Sequence, residues 1–326
     1  MKRLVSYSII APYPEWRAVI ARQTLASIQS LRAHNRSIPV LLTLYSEMPE
    51  LASALAPYDV LIRLPGSYKA QLARVFPRGA EVLSRHPALH KFLNFDEIDA
   101  LDPEQLLILD CDTLFFHDVE ELFAKYGDSD CCAREEYSCR RSARSYDPGY
   151  INEELLLELA SSEGSSAVPP FNTGVLLLNN KLWRRVPIPS NLISYVWRFS
   201  IWMAQHRQKD PELCYDSAIG VDFLRNYFRK FVSPEDEATA LRFPSGNRWL
   251  VDEVALWFTV GAIPNLKYRD FDTADVLQGR EILSRKANSA DWVVAHYYSS
   301  NMEPVASWLE HYSPSFIEAS ALSIPP

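Results

Sequence analysis

Residues 106–123, LLILDCDTLFFHDVEELF, decide the fold that we predict for this chain. Leu106 to Leu109 form an apolar run of a length typical of a strand buried on both faces. Asp110 and Asp112 follow, and residues two apart in an extended segment point to the same side. Because open α/β sheets bind ligands where buried strands end, these two carboxylates are candidate ligand-binding groups. After them we predict a short helix that starts with acidic residues and carries Leu114, Val119, Leu122 and Phe123.

An Asp-x-Asp sequence after a strand is often only a polar turn, so the functional interpretation needs support. Two like charges this close stay ionised together only when a cation or hydrogen-bond donors lie between them. The preceding strand is also too apolar for a surface hairpin. Both features favour a ligand site at Asp110 and Asp112.

Composition limits the possible classes of protein. The chain has 326 residues, of which 48% are hydrophobic and 23% charged, as expected of a globular protein with a substantial core. The net charge of −8 argues against broad binding to nucleic acid or anionic membranes. No segment approaches the roughly 20 apolar residues that span a bilayer, and we interpret the N-terminal residues as a core strand, not a signal peptide. Five cysteines without C-x-x-C spacing indicate a reducing compartment, so we expect a cytoplasmic protein.

The N-terminal part alternates between strand and helix patterns. We predict strands at residues 4–11, 39–45 and 60–64, a helix that begins at Pro14, and a mainly helical segment at 71–101. In the Pro14 helix, the apolar positions at helical spacing are Trp16, Val19, Ile20, Leu25, Ile28 and Leu31. Strand, helix and strand with short links predict a parallel βαβ sheet and hence an α/β fold.

The later part of the chain adds a second informative stretch, FNTGVLLLNN at residues 171–180. Residues 175–178 are predicted to form a buried strand, and Gly174 at its start allows another group to approach the backbone closely. A further strand is predicted at 130–134, and a last one at 292–298 contains His296. Helices are predicted at 151–160, 191–206, 216–231 and 250–261.

The order of these pieces resembles the nucleotide-sugar-dependent glycosyltransferases of the GT-A fold, particularly the family 8 type that includes glycogenin and the bacterial galactosyltransferases. The matching stretches are SYSIIAPYPEW, HKFLNFDEI, LILDCDTLFFHDVEELF at the position of the family's Asp-x-Asp, FNTGVLLLNNKLW, VDEVALWF and VVAHYYS. The resemblance implies a Rossmann-like, mostly parallel central sheet flanked by helices. It also implies a single domain over residues 1–326, with a nucleotide-binding half at about 1–130 and an acceptor-binding half at about 131–326.

The resemblance further implies a site. Asp110, Asp112 and His296 would bind Mn²⁺ or Mg²⁺, and Lys91 would meet the phosphates or sugar of a UDP-sugar donor. Cys111 lies between the metal-binding carboxylates and is counted with the donor-binding residues. The residues expected to border the uracil ring are Ala11, Pro12 and Tyr13. Those expected at the sugar and acceptor are Asn172, Gly174, Asp252 and Glu253, with Asp252 as the carboxylate near the anomeric carbon.

Together these residues imply transfer of a hexose from a UDP-sugar to a hydroxyl acceptor on a glycan, lipid or protein, with retention of the anomeric configuration. The sequence specifies neither the sugar nor the oligomeric state. The alternatives are that Lys91 is a solvated helix charge, that His296 is a core or surface histidine, which a lone histidine at the end of a strand more often is, and that Asp252 complements a helix dipole.

Two departures from the family keep alternatives open. Glu253 stands where the family has Gln, and the family's lysine after the late histidine is replaced by Met302 or Glu303. Arg74, Arg78 or Arg248 would then have to supply the missing positive charge. One alternative is a protein of this fold that binds a nucleotide or glycan without turnover. The other is a haloacid-dehalogenase-type phosphatase, in which Asp110 is a nucleophile and Asp112 a general acid, although the glycine of that signature is absent.

Overall fold

The computed structural model describes most of the N-terminal half and separate ranges of the C-terminal half. The described residues are 2–11, 13–77, 79–84, 87–135, 161, 171–185, 188–197, 235, 238, 242, 250–278, 281 and 292–297. The helices predicted at 151–160 and 216–231 lie outside these ranges, as do Pro12, Arg78 and Arg248.

Strands and helices alternate in the N-terminal part, as predicted. In chain order they are β1 (Arg3–Ile9), α1 (Pro14–His34), β2 (Val40–Leu44), α2 (Pro49–Leu55), β3 (Val60–Arg63), α3 (Tyr68–Val75), α4 (Ala80–Leu83), α5 (Phe95–Leu101), β4 (Gln105–Leu109), β5 (Thr113–Phe115) and α6 (Glu120–Tyr126). Short 3₁₀ helices lie at Ala56–Tyr58 and Pro87–Phe92. The mainly helical pattern at 71–101 therefore corresponds to several short helices.

The later described elements begin with β6 (Cys131–Glu135), β7 (Phe171–Leu178) and α7 (Leu182–Arg185). Residues 188–197 are helical and form α8, within the helix predicted at 191–206. The remaining elements are α9 (Leu250–Gly261), β8 (Tyr268–Asp270), β9 (Val276–Gln278) and β10 (Val294–His296). The predicted strands at 130–134 and 175–178 and the helix at 250–261 are thus confirmed.

The central sheet has seven strands in the order β3-β2-β1-β4-β7-β6-β8. Strands β3, β2, β1 and β4 are parallel, β7 is antiparallel to both of its neighbours, and β8 is parallel to β6. The predicted α/β fold with a mostly parallel central sheet is therefore confirmed. Because β1 pairs with β2 and β4, the carboxyl ends of these strands meet at one edge of the sheet.

Strand β4 is apolar along its length because both of its faces are covered. Leu106 and Ile108 belong to the core on one side, with Phe171 and residues of α9. Leu107 and Leu109 belong to the core on the other side, with residues of α1. Alternate residues thus pack against opposite layers, which explains the continuous aliphatic run in the sequence.

A second, three-stranded sheet in the order β5-β10-β9 corrects one prediction. Leu114 was predicted to lie on the apolar face of a helix, but it lies in β5, and α6 begins only at Glu120. The reason is that β5 pairs antiparallel with β10, so that Thr113 lies opposite His296. This pairing brings the end of the predicted 292–298 strand to the Asp-x-Asp segment. None of the helices in the described ranges combines the length and apolar character that a bilayer crossing requires.

Candidate active site

The Asp110–Asp112 segment leaves the end of β4 and is held by backbone contacts to several elements. The amide of Asp110 donates to the carbonyl of Gly174 in β7, at 2.9 Å. The carbonyl of Asp110 accepts from the Thr113 hydroxyl at 3.0 Å, and the carbonyl of Asp112 accepts from the amide of Tyr297 at 3.1 Å. The segment is therefore fixed between the central sheet and the small sheet.

His296 completes a three-residue cluster with the two carboxylates. Its Nε2 lies 3.3 Å from Oδ1 of Asp112 and 3.8 Å from Oδ2 of Asp110. One potential ligand atom from each of the three residues falls within 4.8 Å of the others. Asp112 and His296 are buried, whereas Asp110 is partly exposed. Two carboxylates and one imidazole at this spacing form a donor set that a divalent cation can use.

The pKa values of this cluster reflect competition between burial and charge. Burial acts to raise the pKa of Asp112, but the charge and hydrogen bond of His296 outweigh it, and the pKa lies below its ordinary value. Burial acts to lower the pKa of His296, but the carboxylates of Asp112 and Asp110 outweigh it and raise that pKa. The two opposite shifts show that the site favours positive charge beside the two carboxylates.

Gly174 makes room for the His296 ring. A β-carbon at Gly174 would lie 2.1 Å from Cε1, 2.3 Å from Nδ1 and 2.6 Å from Nε2 of His296. Ordinary carbon contacts are about 3.5 Å or longer, so any larger residue would displace the ring. The group that approaches the backbone closely at this glycine is therefore the imidazole.

Lys91 reaches the cluster from the 3₁₀ helix Pro87–Phe92. Its Nζ donates to Oδ1 of Asp110 and to the hydroxyl of Thr173, both at 2.8 Å. The side chain is 5% exposed, so it is not a solvated helix charge. Its positive charge allows the neighbouring carboxylates to be ionised together.

Asn172 and Glu253 are hydrogen-bonded to each other next to Thr173. The Asn172 amide donates to Oε1 of Glu253 at 3.0 Å, and the backbone amide of Thr173 donates to the same oxygen at 3.4 Å. Oδ1 of Asn172 accepts from the amide of Gly174 at 2.8 Å. Glu253 is buried and supports the start of β7, and it is connected to Lys91 through Thr173. Asp252 lies in α9 next to Glu253, but its side chain is outside the described part of the structure.

A cavity of about 520 Å³ opens beside Lys91 and the two carboxylates. Residues of α1 form one wall, and residues at the end of β1 and in the 3₁₀ helix form the other. The lining residues are Ser8, Ile9, Ile10, Trp16, Val19, Ile20, Gln23, Ala88, His90, Lys91, Asp110, Cys111 and Asp112. Trp16 and Val19, in the first turns of α1, are not part of the core, because Trp16 is 54% exposed and Val19 36% exposed.

Of the residues predicted for the uracil ring, Ala11 and Tyr13 are described, and neither belongs to the lining of this cavity. Tyr13 is exposed and contacts the Trp16 ring edge-on, with centroids 6.5 Å apart. The Ala11 amide donates to the Ser46 hydroxyl at 3.0 Å, at the ends of β1 and β2. Among the described residues, the cavity wall comes instead from Trp16, His90 and their neighbours, which the sequence reasoning missed. Their only signal was position, since they flank the predicted Tyr13 and Lys91.

Comparison with known proteins gives distant structural neighbours only. No protein-family model and no curated protein sequence matches the chain. Mouse xyloside xylosyltransferase 1 in its apo form is 14% identical, with a TM-score of 0.44, over 92% of this chain and 98% of that one. The galactosyltransferase LgtC, solved with donor and acceptor sugar analogues, is 12% identical, with a TM-score of 0.46, over 100% and 97%.

A third neighbour is the glycosyltransferase GlyE of Streptococcus pneumoniae. It is 16% identical, with a TM-score of 0.44, over 98% of this chain and 62% of that one. These neighbours are glycosyltransferases, which is the class that the sequence resemblance named.

Proposed function

We propose that this protein is a metal-dependent glycosyltransferase that transfers a hexose from a UDP-sugar to a hydroxyl group of a glycan, lipid or protein acceptor. The observation that carries the proposal is the convergence of Asp110, Asp112 and His296, with ligand atoms within 4.8 Å of one another, beside a cavity that Asp110 and Asp112 line. His296 comes from the other end of the chain, so the cluster is not a local polar turn.

The donor set fits a divalent cation. Two carboxylates are hard oxygen ligands of the kind that Mg²⁺ and Mn²⁺ prefer. The imidazole of His296 is a nitrogen ligand that first-row transition metals accept, which favours Mn²⁺. When bound here, the cation supplies positive charge that offsets the charge of a departing diphosphate.

The lining of the cavity offers an apolar surface for a nucleoside and positive charge for its phosphates. Trp16, Val19 and Ile20 form an apolar wall suited to a nucleoside, and we include the adjoining Tyr13 and Ala11 in this region. Lys91 carries positive charge among the described lining residues and would pair with a phosphate oxygen as a point charge. Cys111 also lines the cavity and would contact the donor.

Of the three arginines considered for the family's missing lysine, Arg74 pairs with Asp96 at 2.7 Å on the surface, and Arg78 and Arg248 lie outside the described residues. We therefore assign the charge that faces the diphosphate to Lys91. Asn172 and Glu253 would orient the sugar and acceptor by fixing the start of β7, and Asp252 would be the carboxylate near the anomeric carbon. Retention of configuration, and the division at about residue 130 into nucleotide-binding and acceptor-binding halves, belong to the same proposal.

We also place this activity in the cytoplasm. Cys111, Cys131 and Cys132, the described cysteines, are free thiols, in keeping with a reducing compartment.

A thermal-shift screen with Mn²⁺, UDP and UDP-hexoses tests the proposal. A donor at 100 times its dissociation constant stabilises the native state by about 2.7 kcal/mol, so Tm should rise only when nucleotide and metal are both present. Asp112→Asn should abolish this shift and the metal-dependent hydrolysis of the donor. Asp128→Asn, at an exposed carboxylate in the loop after α6, is the matched control and should behave as the wild type. Full activity of Asp112→Asn contradicts the metal site.

The same experiment separates the alternatives. Binding of UDP and Mn²⁺ without donor hydrolysis or transfer to any acceptor would identify a binding protein without turnover. Release of phosphate from simple phosphate esters, abolished by Asp110→Asn, would identify a phosphatase of the haloacid-dehalogenase type. That reading assigns no role to His296, which the structure brings to the carboxylates.

A further inference from the structure

A row of buried polar side chains on α1 faces the segment that carries the two carboxylates. The row consists of residues four and three positions apart, which share one face of a helix. Its members are Gln23, Ser27 and Ser30, and their partners are Cys111, Thr113 and Phe115. The Cys111 thiol donates to Oε1 of Gln23 at 3.6 Å. The hydroxyls of Ser27 and Thr113 are 2.8 Å apart, and the Phe115 amide donates to the Ser30 hydroxyl at 3.0 Å.

The hydroxyl groups in the middle of the row form a chain with a single direction. Thr113 donates its proton to the carbonyl of Asp110 at 3.0 Å, so it must accept from Ser27. Ser27 in turn accepts from the phenol of Tyr7, 2.8 Å away. All three side chains are fully buried. Burial raises the pKa of Tyr7 far above its ordinary value, so the phenol keeps the proton that starts the chain.

We propose that the chain Tyr7–Ser27–Thr113 positions the Asp110–Asp112 segment, and that Ser27 and Thr113 are positioning residues of the metal site. The part of this inference that concerns the metal rests on the proposed function, whereas the part that concerns the placement of the segment does not. The hydroxyl of Thr113 fixes the Asp110 end, while its backbone lies opposite His296. One residue thus couples the carboxylates to the histidine.

The effect of removing a link follows from burial. Ser27→Ala leaves the fully buried hydroxyls of Tyr7 and Thr113 without their shared partner. Thr113 can then turn away from the Asp110 carbonyl, which frees the segment. Groups that orient metal ligands typically change metal affinity by about 10- to 100-fold when they are removed.

Hydrogen–deuterium exchange and Mn²⁺ binding test the proposal together. Exchange of the amides in residues 110–116 is measured in the metal-free protein, and Mn²⁺ binding is followed by the electron paramagnetic resonance signal of the free ion. Ser27→Ala and Thr113→Val should each speed local exchange and weaken Mn²⁺ binding about tenfold or more. Thr113→Ser keeps the hydroxyl and should restore both properties. Tyr7→Phe, which removes the most distant link, should act in the same direction more weakly.

Thr24→Val is the matched control on the same helix. The Thr24 hydroxyl is also fully buried, but it donates to the carbonyl of Ile20 within α1, at 2.7 Å. This variant should leave exchange at 110–116 and Mn²⁺ affinity unchanged.

Unchanged exchange of residues 110–116 in Ser27→Ala would overturn the proposal. So would a uniform increase in the exchange rate over all peptides, if Thr24→Val shows the same increase. If Ser27→Ala does not fold, two other measurements decide in its place: the effect of Tyr7→Phe, and the difference between Thr113→Val and Thr113→Ser. A wild-type protein that binds no Mn²⁺ while Ser27→Ala loosens residues 110–116 would refute the metal site and support the positioning chain.

Discussion

Gly174→Ala should damage the candidate metal site through a single contact. Its β-carbon would lie 2.1 Å from Cε1 of His296, whereas such contacts are ordinarily about 3.5 Å, so the ring must move by more than about 1 Å. Strand β7 cannot yield easily because it is paired with β4 and β6. The displacement therefore falls on the imidazole, which lies 3.3 Å from Asp112.

The size of the effect follows from two opposing contributions. Forcing an extra carbon into a packed site typically costs about 1–3 kcal/mol. Gly174 does not have a positive φ, so alanine is compatible with the backbone and lowers the entropy of the unfolded chain by about 0.4–1 kcal/mol. In a His296→Ala background the clashing ring is absent, and Gly174→Ala should be neutral or slightly stabilising. The expected coupling energy between the two positions is about 2 kcal/mol.

Urea unfolding of the wild type, the two single variants and the double variant measures this coupling. Mn²⁺ binding to Gly174→Ala should fall at least tenfold, by analogy with other changes that misorient a ligand. Equal destabilisation by Gly174→Ala in both backgrounds would refute the steric argument. Undiminished Mn²⁺ affinity would show that His296 is not a ligand.

Three further predictions concern neighbouring charges. Lys91→Gln should weaken binding of UDP about tenfold or more and leave uridine binding unchanged, because the lost charge acts on phosphate; isothermal titration with both ligands checks this. Glu253→Gln keeps an oxygen for the Asn172 amide and should change the free energy of unfolding by less than about 1 kcal/mol, whereas Glu253→Ala should cost about 1–3 kcal/mol in urea unfolding. Burial, and then the charge of Lys91, lowers the pKa of His90 from 6.5 to about 3. Because the unfolded chain then binds a proton that the folded protein does not bind, the free energy of unfolding is full above pH 6.5 and falls as the pH decreases below 6.5. Between pH 7.5 and 5.5 the wild type should lose about 1 kcal/mol more than His90→Gln, and equal losses would contradict the shift.

The central sheet could be predicted because its signals are local. Strands β4 and β7 each contain a continuous apolar run, residues 106–109 and 175–178, because each is buried on both faces, and such runs are visible in the sequence itself. The two carboxylates could be placed at the end of β4 for the same reason. The positions of Lys91 and His296 came from resemblance, and their contacts with Asp110 and Asp112 needed the structure.

The wall of α1 shows where periodicity stops being informative. Helical spacing identified one face that includes Trp16 and Leu25, but spacing cannot tell what lies beneath each turn. Leu25 packs in the core, whereas Trp16 borders the cavity. Ser27 shows the opposite error. A polar residue is ordinarily assigned to the surface, and its burial is recognised only when its hydrogen-bond partner is known.

The sequence by itself determined the order of strands and helices, the alternation that makes an α/β sheet, and the pair of carboxylates at the end of β4. Only the tertiary structure decided that residues 113–115 are extended, that His296 lies against Gly174, and that the hydroxyls of Ser27 and Thr113 meet. The physical reason is the separation along the chain of the residues that interact. Strand and helix patterns arise from neighbours along the chain, whereas the partners of β5 and of buried polar groups are brought together only when distant segments pack.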